Sequence, residues 1–276
     1  MGRRISFFYR RHQLSGEIRR QVADVIGARV NPSSDTEQDI CIGVKMSPYL
    51  VYHDKLIDPS RMGDFYLDFI DHHTSIDWLA RWPEIKLIVC SRSGERYLRE
   101  HLKNPLRFIP QHHCNVERHR RPHRPMKTVV FVGVLTERPP WYDWVNRAMA
   151  NMGLTMRWVT DFRTRKDVVD AYLDADLQFY WREGMPEKLR HLKNPMRIIS
   201  AASFGIPTVV NQEPCYAAEC DSHYLGFEKI GDALDAVREL QHDPSKYAAL
   251  AEPGPIWTEP YHLDHVAEAF RRLADE

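Results

Sequence analysis

The residues best placed to do chemistry stand together at Lys193-Asn194-Pro195-Met196-Arg197, ahead of the small-residue run Ile198-Ile199-Ser200-Ala201-Ala202-Ser203-Phe204-Gly205. A helix beginning here presents unpaired backbone N–H groups and the positive end of its dipole, which together attract anions. Asn194 suits the N-cap, and Pro195 suits the first helical position, where its missing N–H costs nothing. Lys193 just before the terminus and Arg197 one turn inside it add two fixed cations, so a phosphate is the ligand this spacing predicts. Gly205 supplies the left-handed residue that ends a helix, Pro207 blocks its continuation, and Thr208-Val209-Val210 then reads as a buried strand.

This run resembles the donor-site helix of GT-B glycosyltransferases, where a basic residue, a short polar turn and a small-residue helix ending in Gly-x-Pro precede a valine-rich strand. The resemblance implies that Lys193, Asn194, Arg197 and Ser200 hold the ribose and diphosphate of a nucleotide sugar such as a UDP-sugar. Many retaining members carry a glutamate about where this chain has Ser200, so the contact expected there is a hydroxyl hydrogen bond. Residues 133–138 are similar to the glycine-containing turn after the first strand of the donor domain, which adds Gly133 and Arg138 to the donor-binding candidates.

Asp71-His72-His73 resembles the histidine or His-Asp pair that lies near the transferred sugar in the first domain of many members. A histidine titrates near working pH and can take the acceptor's proton, so Asp71, His72 and His73 are the catalytic candidates, with His53-Asp54 as the rival pair. An inverting enzyme needs such a base; in a retaining one the donor's phosphate can accept the proton, and the sequence leaves both outcomes open. His112-His113-Cys114 has the residue types of a metal site, but consecutive ligands rarely wrap one ion, so no metal is expected and 110–115 reads as a hinge.

Composition sets the frame for these candidates. The chain has 276 residues, 43% of them hydrophobic, enough for two modest cores. Its 38 basic residues balance 38 acidic ones, so no global field draws it to nucleic acid or to an anionic membrane. The first residues, Met-Gly-Arg-Arg-Ile-Ser-Phe-Phe, lack a signal-peptide core, and no run is long enough to span a bilayer, so a cytoplasmic protein without integral membrane association is expected. Five dispersed cysteines without a Cys-x-x-Cys pair fit reduced thiols.

The elements that must position the candidates read as alternating strands and helices. In the first half, 4–9, 39–44, 49–52, 86–89 and 107–109 suggest strands, while 15–26, 76–82 and 93–102 suggest helices. In the second, 128–134, 155–159 and 177–181 are strands separated by helices over 145–152 and 167–173. Such alternation predicts α/β architecture, and with the resemblance it implies two Rossmann-like doubly wound domains facing each other across a cleft. The expected divisions are an acceptor-side domain over 1–117, a basic proline-containing linker over 118–127, a nucleotide-sugar domain over 128–258, and a terminal helix over 259–276 that crosses back to the first domain. His101-Leu102-Lys103-Asn104-Pro105 echoes His191-Leu192-Lys193-Asn194-Pro195, and no site is assigned to the first copy.

The function expected is transfer of a sugar from a nucleotide sugar to a hydroxyl acceptor, a glycan or small molecule in preference, without metal or other cofactor. Arg118, Arg120, Arg121 and Arg124, with Arg3, Arg4, Arg10 and Arg11, keep open a DNA-modifying glycosyltransferase acting on hydroxylated bases. The same fold would also serve a catalytically silent GT-B binding or scaffold protein, or a sugar-nucleotide epimerase or hydrolase.

Overall fold

The computed structural model describes residues 3–9, 14–32, 38–45, 62–70, 76–122, 124–135 and 137–275. The chain forms two compact units: unit 1 is Met1–His112, Pro186–Asn194 and Tyr261–Glu276, and unit 2 is His113–Met185 and Pro195–Pro260. The strand expected over 49–52 lies outside the described residues.

In unit 1 the described strands are β1 (Ile5–Phe8), β2 (Arg29–Val30), β3 (Gln38–Val44), β4 (Met62–Phe69), β5 (Lys86–Val89) and β6 (Leu106–Phe108), all parallel in the order β2-β1-β3-β4-β5-β6. Every residue of β1 is buried because side chains alternate between two covered faces. Phe8 joins a core with Cys41, Leu67, Phe69, Leu87 and Val89. Phe7 instead meets Phe270 of the helix Leu263–Leu273, with ring centroids 5.3 Å apart. On that second face Arg19, from the helix Leu14–Ile26, is wholly buried, and each of its nitrogens has an acceptor. Nε and Nη2 donate to the two oxygens of Asp68 at 2.6 and 3.3 Å, and Nη1 donates to the Pro110 carbonyl at 3.1 Å. Such complete pairing is what makes a desolvated guanidinium tolerable.

The two His-Leu-Lys-Asn-Pro copies meet inside unit 1. The rings of His101 and His191 both stack on Tyr97, at 4.1 and 5.3 Å, and Leu102 and Leu192 enter the same core. Asn104 Nδ2 donates to the carbonyls of Trp82 and Ile85, and Asn194 Nδ2 donates to Gln111 Oε1 at 2.7 Å. The echo therefore has a packing role. It also corrects the expected cap: the helix Met196–Ser203 starts from Pro195 as N-cap with no side-chain cap bond, and Asn194 one residue earlier donates its amide to Gln111.

Unit 2 contains β7 (Thr128–Val132), β8 (Thr155–Val159), β9 (Leu177–Tyr180), β10 (Thr208–Asn211) and β11 (Leu225–Phe227), all parallel in the order β11-β10-β9-β7-β8. The chain steps from β7 outward to β8 and then returns to the other side of β7 as β9. The order thus reverses between β7 and β9, and beyond the carboxyl ends of such a pair lies the usual ligand crevice. Val130 and Val132 pack under Val169 and Tyr172 of the helix Arg165–Asp174 and under Ala201 and Phe204. Gly205 ends the helix Met196–Ser203 as predicted, at φ 74° with its N–H on the Ala202 carbonyl at 2.8 Å.

The basic stretch 118–127 is not the solvated linker expected from its charges and prolines; it belongs to unit 2 and is bound to it. Arg118 pairs with Glu259 at 2.8 Å, while Arg121 and Arg124 reach Asp176 Oδ1 at 3.1 and 2.7 Å. Asp176 Oδ2 accepts the backbone N–H groups of Lys127 and Thr128 at 2.8 and 2.7 Å. One buried carboxylate ahead of β9 thereby stitches the stretch to the sheet, since proline forbids regular structure but not packing.

Candidate functional site at the strand-order reversal of unit 2

β7 ends at Val132, and Gly133 continues it with its N–H on the Val159 carbonyl at 3.1 Å. Over this end lies Arg197, from the first turn of the helix Met196–Ser203. Its Nε donates to the Val132 carbonyl at 3.2 Å, and its guanidinium carbon stands 4.2 Å from the centroid of the Tyr180 ring at the end of β9. The main chain of Arg197 is held as well. Gln178, fully buried within β9, donates Nε2 to the Arg197 carbonyl at 3.1 Å and accepts from the Tyr172 hydroxyl at 2.7 Å. A Cβ at Gly133 would come within 3.1 Å of Arg197 Nε and 3.2 Å of Nη2, so the missing side chain is what leaves room for the guanidinium.

Among the described residues Arg197 has no carboxylate partner, and its hydrogen bonding ends with Nε. A planar, permanently charged fork is thus aimed across the ends of β7 and β9 with both terminal nitrogens unengaged, a geometry suited to bidentate binding of phosphate.

A second arginine adjoins the same ring in a different electrical state. Arg182, just past β9, lies 5.8 Å from the Tyr180 centroid and forks onto Glu213, with Nε to Oε1 at 3.2 Å and Nη2 to both oxygens at 2.7 and 2.6 Å. Glu213 is 1% exposed and also accepts from Asn211 Nδ2 at 3.1 Å. Although burial works against its charge, the hydroxyl of Tyr180 and the other acidic neighbours, Glu213 among them, hold the Arg182 pKa above its ordinary value.

The other sequence candidates are dispersed. Arg138 is exposed, ion-paired with Asp143 and laid over the Tyr142 ring at 4.4 Å. From there Tyr142, Trp158, Phe131 and Tyr180 stack in turn, at 4.2, 5.0 and 5.1 Å, so four aromatic rings join Arg138 to Arg197. Ser200 is buried with its hydroxyl on the Cys114 thiol, whose pKa burial pushes up to about 12. Lys193 and Asn194 belong to unit 1, whereas Gly133 and Arg197 belong to unit 2. Asp71, His72 and His73, with His53 and Asp54, lie outside the described residues. His112 Nε2–H donates to the Ile18 carbonyl at 3.0 Å. Among the described residues no group of three His, Cys, Asp or Glu is placed to hold a metal ion, and none of the helices is long and apolar enough to cross a membrane.

Gln178, Tyr180, Arg182, Asn211 and Glu213 were not among the sequence candidates. The visible signal was Gln178, a polar residue inside the apolar strand Leu-Gln-Phe-Tyr, where only a satisfied hydrogen-bonding role justifies its burial.

Two doubly wound parallel units in one chain are the fold of GT-B glycosyltransferases, and solved structures of that class match it. No protein-family model matches the sequence, and no curated protein matches it either. HepE from Anabaena, solved in complex with UDP-glucose, superposes with a TM-score of 0.71 at 9% identity, over 99% of this chain and 100% of that one. AviGT4, a glycosyltransferase involved in avilamycin A biosynthesis, gives 0.57 at 12% identity over 99% and 98%. A GtfA/B complex gives 0.59 at 12% identity over 95% of this chain, which spans only 60% of that longer chain. At these identities the likeness is one of fold.

Proposed function

We propose that the protein is a glycosyltransferase that binds a nucleoside diphosphate sugar at the β7–β9 ends of unit 2 and transfers the sugar to a hydroxyl acceptor. The observation that carries this reading is Arg197, a guanidinium uncompensated among the described residues and fixed at three points over a strand-order reversal, with Gly133 clearing its space. The acceptor oxygen attacks the anomeric carbon while the bond to the diphosphate oxygen breaks and its electron pair leaves with the phosphate. Arg197 then faces the charge that grows on that phosphate, where preorganised donors are most effective. His72 or His73 takes the acceptor's proton if the reaction inverts; the departing phosphate takes it if the reaction retains. UDP is the nucleotide of choice because a structure of the same fold was solved with UDP-glucose. Donor binding without a metal ion belongs to the same reading, as does a cytoplasmic setting, which suits the five free cysteines.

A glycan or small-molecule acceptor is preferred over DNA. Arg118 is ion-paired with Glu259, Arg121 and Arg124 share Asp176, and Arg3 and Arg4 pair with Asp64 and Asp39, so much of the stripe suggested by the sequence is engaged within the fold. The decisive experiment is calorimetric titration of UDP in the presence of a chelator into the wild type and Arg197→Ala. Removing a charge-assisted phosphate contact is expected to weaken binding about tenfold or more. Equal affinities in a folded variant would remove Arg197 from the site, and the proposal with it.

A further inference from the structure

We propose that Arg182, clamped by Glu213, recognises a hydroxyl of the donor's sugar, while Arg197 recognises its phosphate. The inference rests on the donor site proposed above and deepens it. Two guanidiniums lie against one tyrosine ring at the ligand edge of the sheet, and they differ in compensation. Arg197 carries an unmatched charge, which favours an anion. Arg182 is matched by a bidentate carboxylate, so the pair offers almost no net field to a phosphate and acts instead as an oriented N–H donor.

The fixing of Arg182 is complete apart from one atom. Its backbone N–H donates to Asn211 Oδ1 at 3.0 Å, and Nε and Nη2 are taken by Glu213. Nη1 has no hydrogen-bond partner among the described residues, although the side chain is only 17% exposed. Glu213 accepts from Arg182, Asn211 and the Cys215 thiol, so it is occupied as a holder and is not itself available as a base or ligand. A rigid, charge-neutral pair with one donor left over fits a neutral oxygen, and a site built to hydrogen-bond a hydroxyl discriminates strongly against an analogue that lacks it.

The test is a calorimetric comparison of UDP with UDP-glucose, and with UDP-deoxyglucose analogues, on the wild type, Arg182→Lys and Arg182→Gln, with thermal unfolding run alongside. The expected result is an affinity for UDP-glucose lowered about tenfold in both variants while that for UDP stays within about twofold. In the wild type one deoxy analogue loses a similar factor, and that loss disappears in Arg182→Lys. The wild-type ratio of the two affinities should also be insensitive to salt, because the Arg182–Glu213 pair is neutral. Equal losses for UDP and UDP-glucose, or none for either, would overturn the role of Arg182 while leaving the donor site in place. If the variants do not fold, wild-type protein that tolerates every deoxy analogue overturns it as well. Wild-type protein that binds neither ligand would overturn the donor site itself, and this inference with it.

Discussion

Arg197 and Tyr180 are a cation and a ring face 4.2 Å apart, brought together from a helix and a strand that are consecutive in neither sequence nor sheet. The contact works with the Val132 carbonyl to aim the arginine, so altering the bed should affect ligand binding without touching the arginine. Gly133→Ala places a methyl group against the guanidinium and should weaken UDP binding severalfold while leaving the thermal midpoint nearly unchanged. Tyr180→Leu removes a contact worth about 0.5 to 2 kcal/mol and should also reduce affinity. Titration of both variants checks this, and an unaltered Gly133→Ala affinity would show that the arginine's position does not matter.

The catalytic assignment separates from donor binding. If the reaction inverts, His72→Ala/His73→Ala should lower turnover about a hundredfold, the usual worth of a general base, with UDP affinity unchanged. A full rate in that variant would make His53 and Asp54 the pair to test next.

Unit 1 encloses a wholly buried ion pair, Arg19 with Asp68, and losing one partner exposes its cost. Asp68→Asn leaves Arg19 in place without its carboxylate and should cost about 3 to 5 kcal/mol in denaturant unfolding. Replacing both residues by apolar ones should recover much of the loss. A single-variant cost below about 1 kcal/mol would mean that water reaches the pair.

Acid should reveal a different ion pair. Hydrogen bonding to Arg165 holds the Glu117 pKa down at about 2, against 4.5 unperturbed. A depressed carboxylate stabilises the fold above its unfolded pKa, and that stability is lost as pH falls through the folded value. The difference in thermal midpoint between wild type and Glu117→Gln should therefore be constant above about pH 5 and shrink towards pH 2. Because the Glu117 side chain is 43% exposed, the plateau should stay below about 1 kcal/mol.

The ion-paired arginines of 118–124 predict weak binding to nucleic acid. Four unmatched arginines on duplex DNA would give a log-log salt slope of about three to four; with most of them paired, binding at physiological salt should be negligible. A fluorescence anisotropy titration at two salt concentrations checks this, and a steep slope would reopen the DNA acceptor.

The periodic and punctuated parts of the fold were legible from residue order alone. β1, β7 and β9 are apolar runs that a two-sided parallel sheet requires, the face built from Val266 and Phe270 marks the last helix, and Gly205 ends its helix by local geometry. What could not be read were choices settled by distant partners. Asn194 has the chemistry of an N-cap but meets Gln111, 83 residues away, and Arg121 looks solvated until Asp176 and Tyr247 are found beside it. The candidate site divides in the same way. Gly133 and Arg197 carried local signals, whereas Arg182 and Glu213 matter only because parallel strands set their ends side by side.

The excursion Pro186–Asn194 bears on how the molecule can be taken apart. The polypeptide passes from one unit to the other at four places, so neither unit is a continuous stretch that a single cut could release. A fragment ending near residue 112 would lack Leu192 and Phe270, leaving holes against Leu98 and Phe7. The complementary fragment 113–260 would carry Leu192 and the His191 ring without the surfaces that cover them. Limited proteolysis should accordingly yield nicked protein that stays associated rather than separable halves, because a cut at any of the four crossings leaves segments of unit 1 on both sides of it.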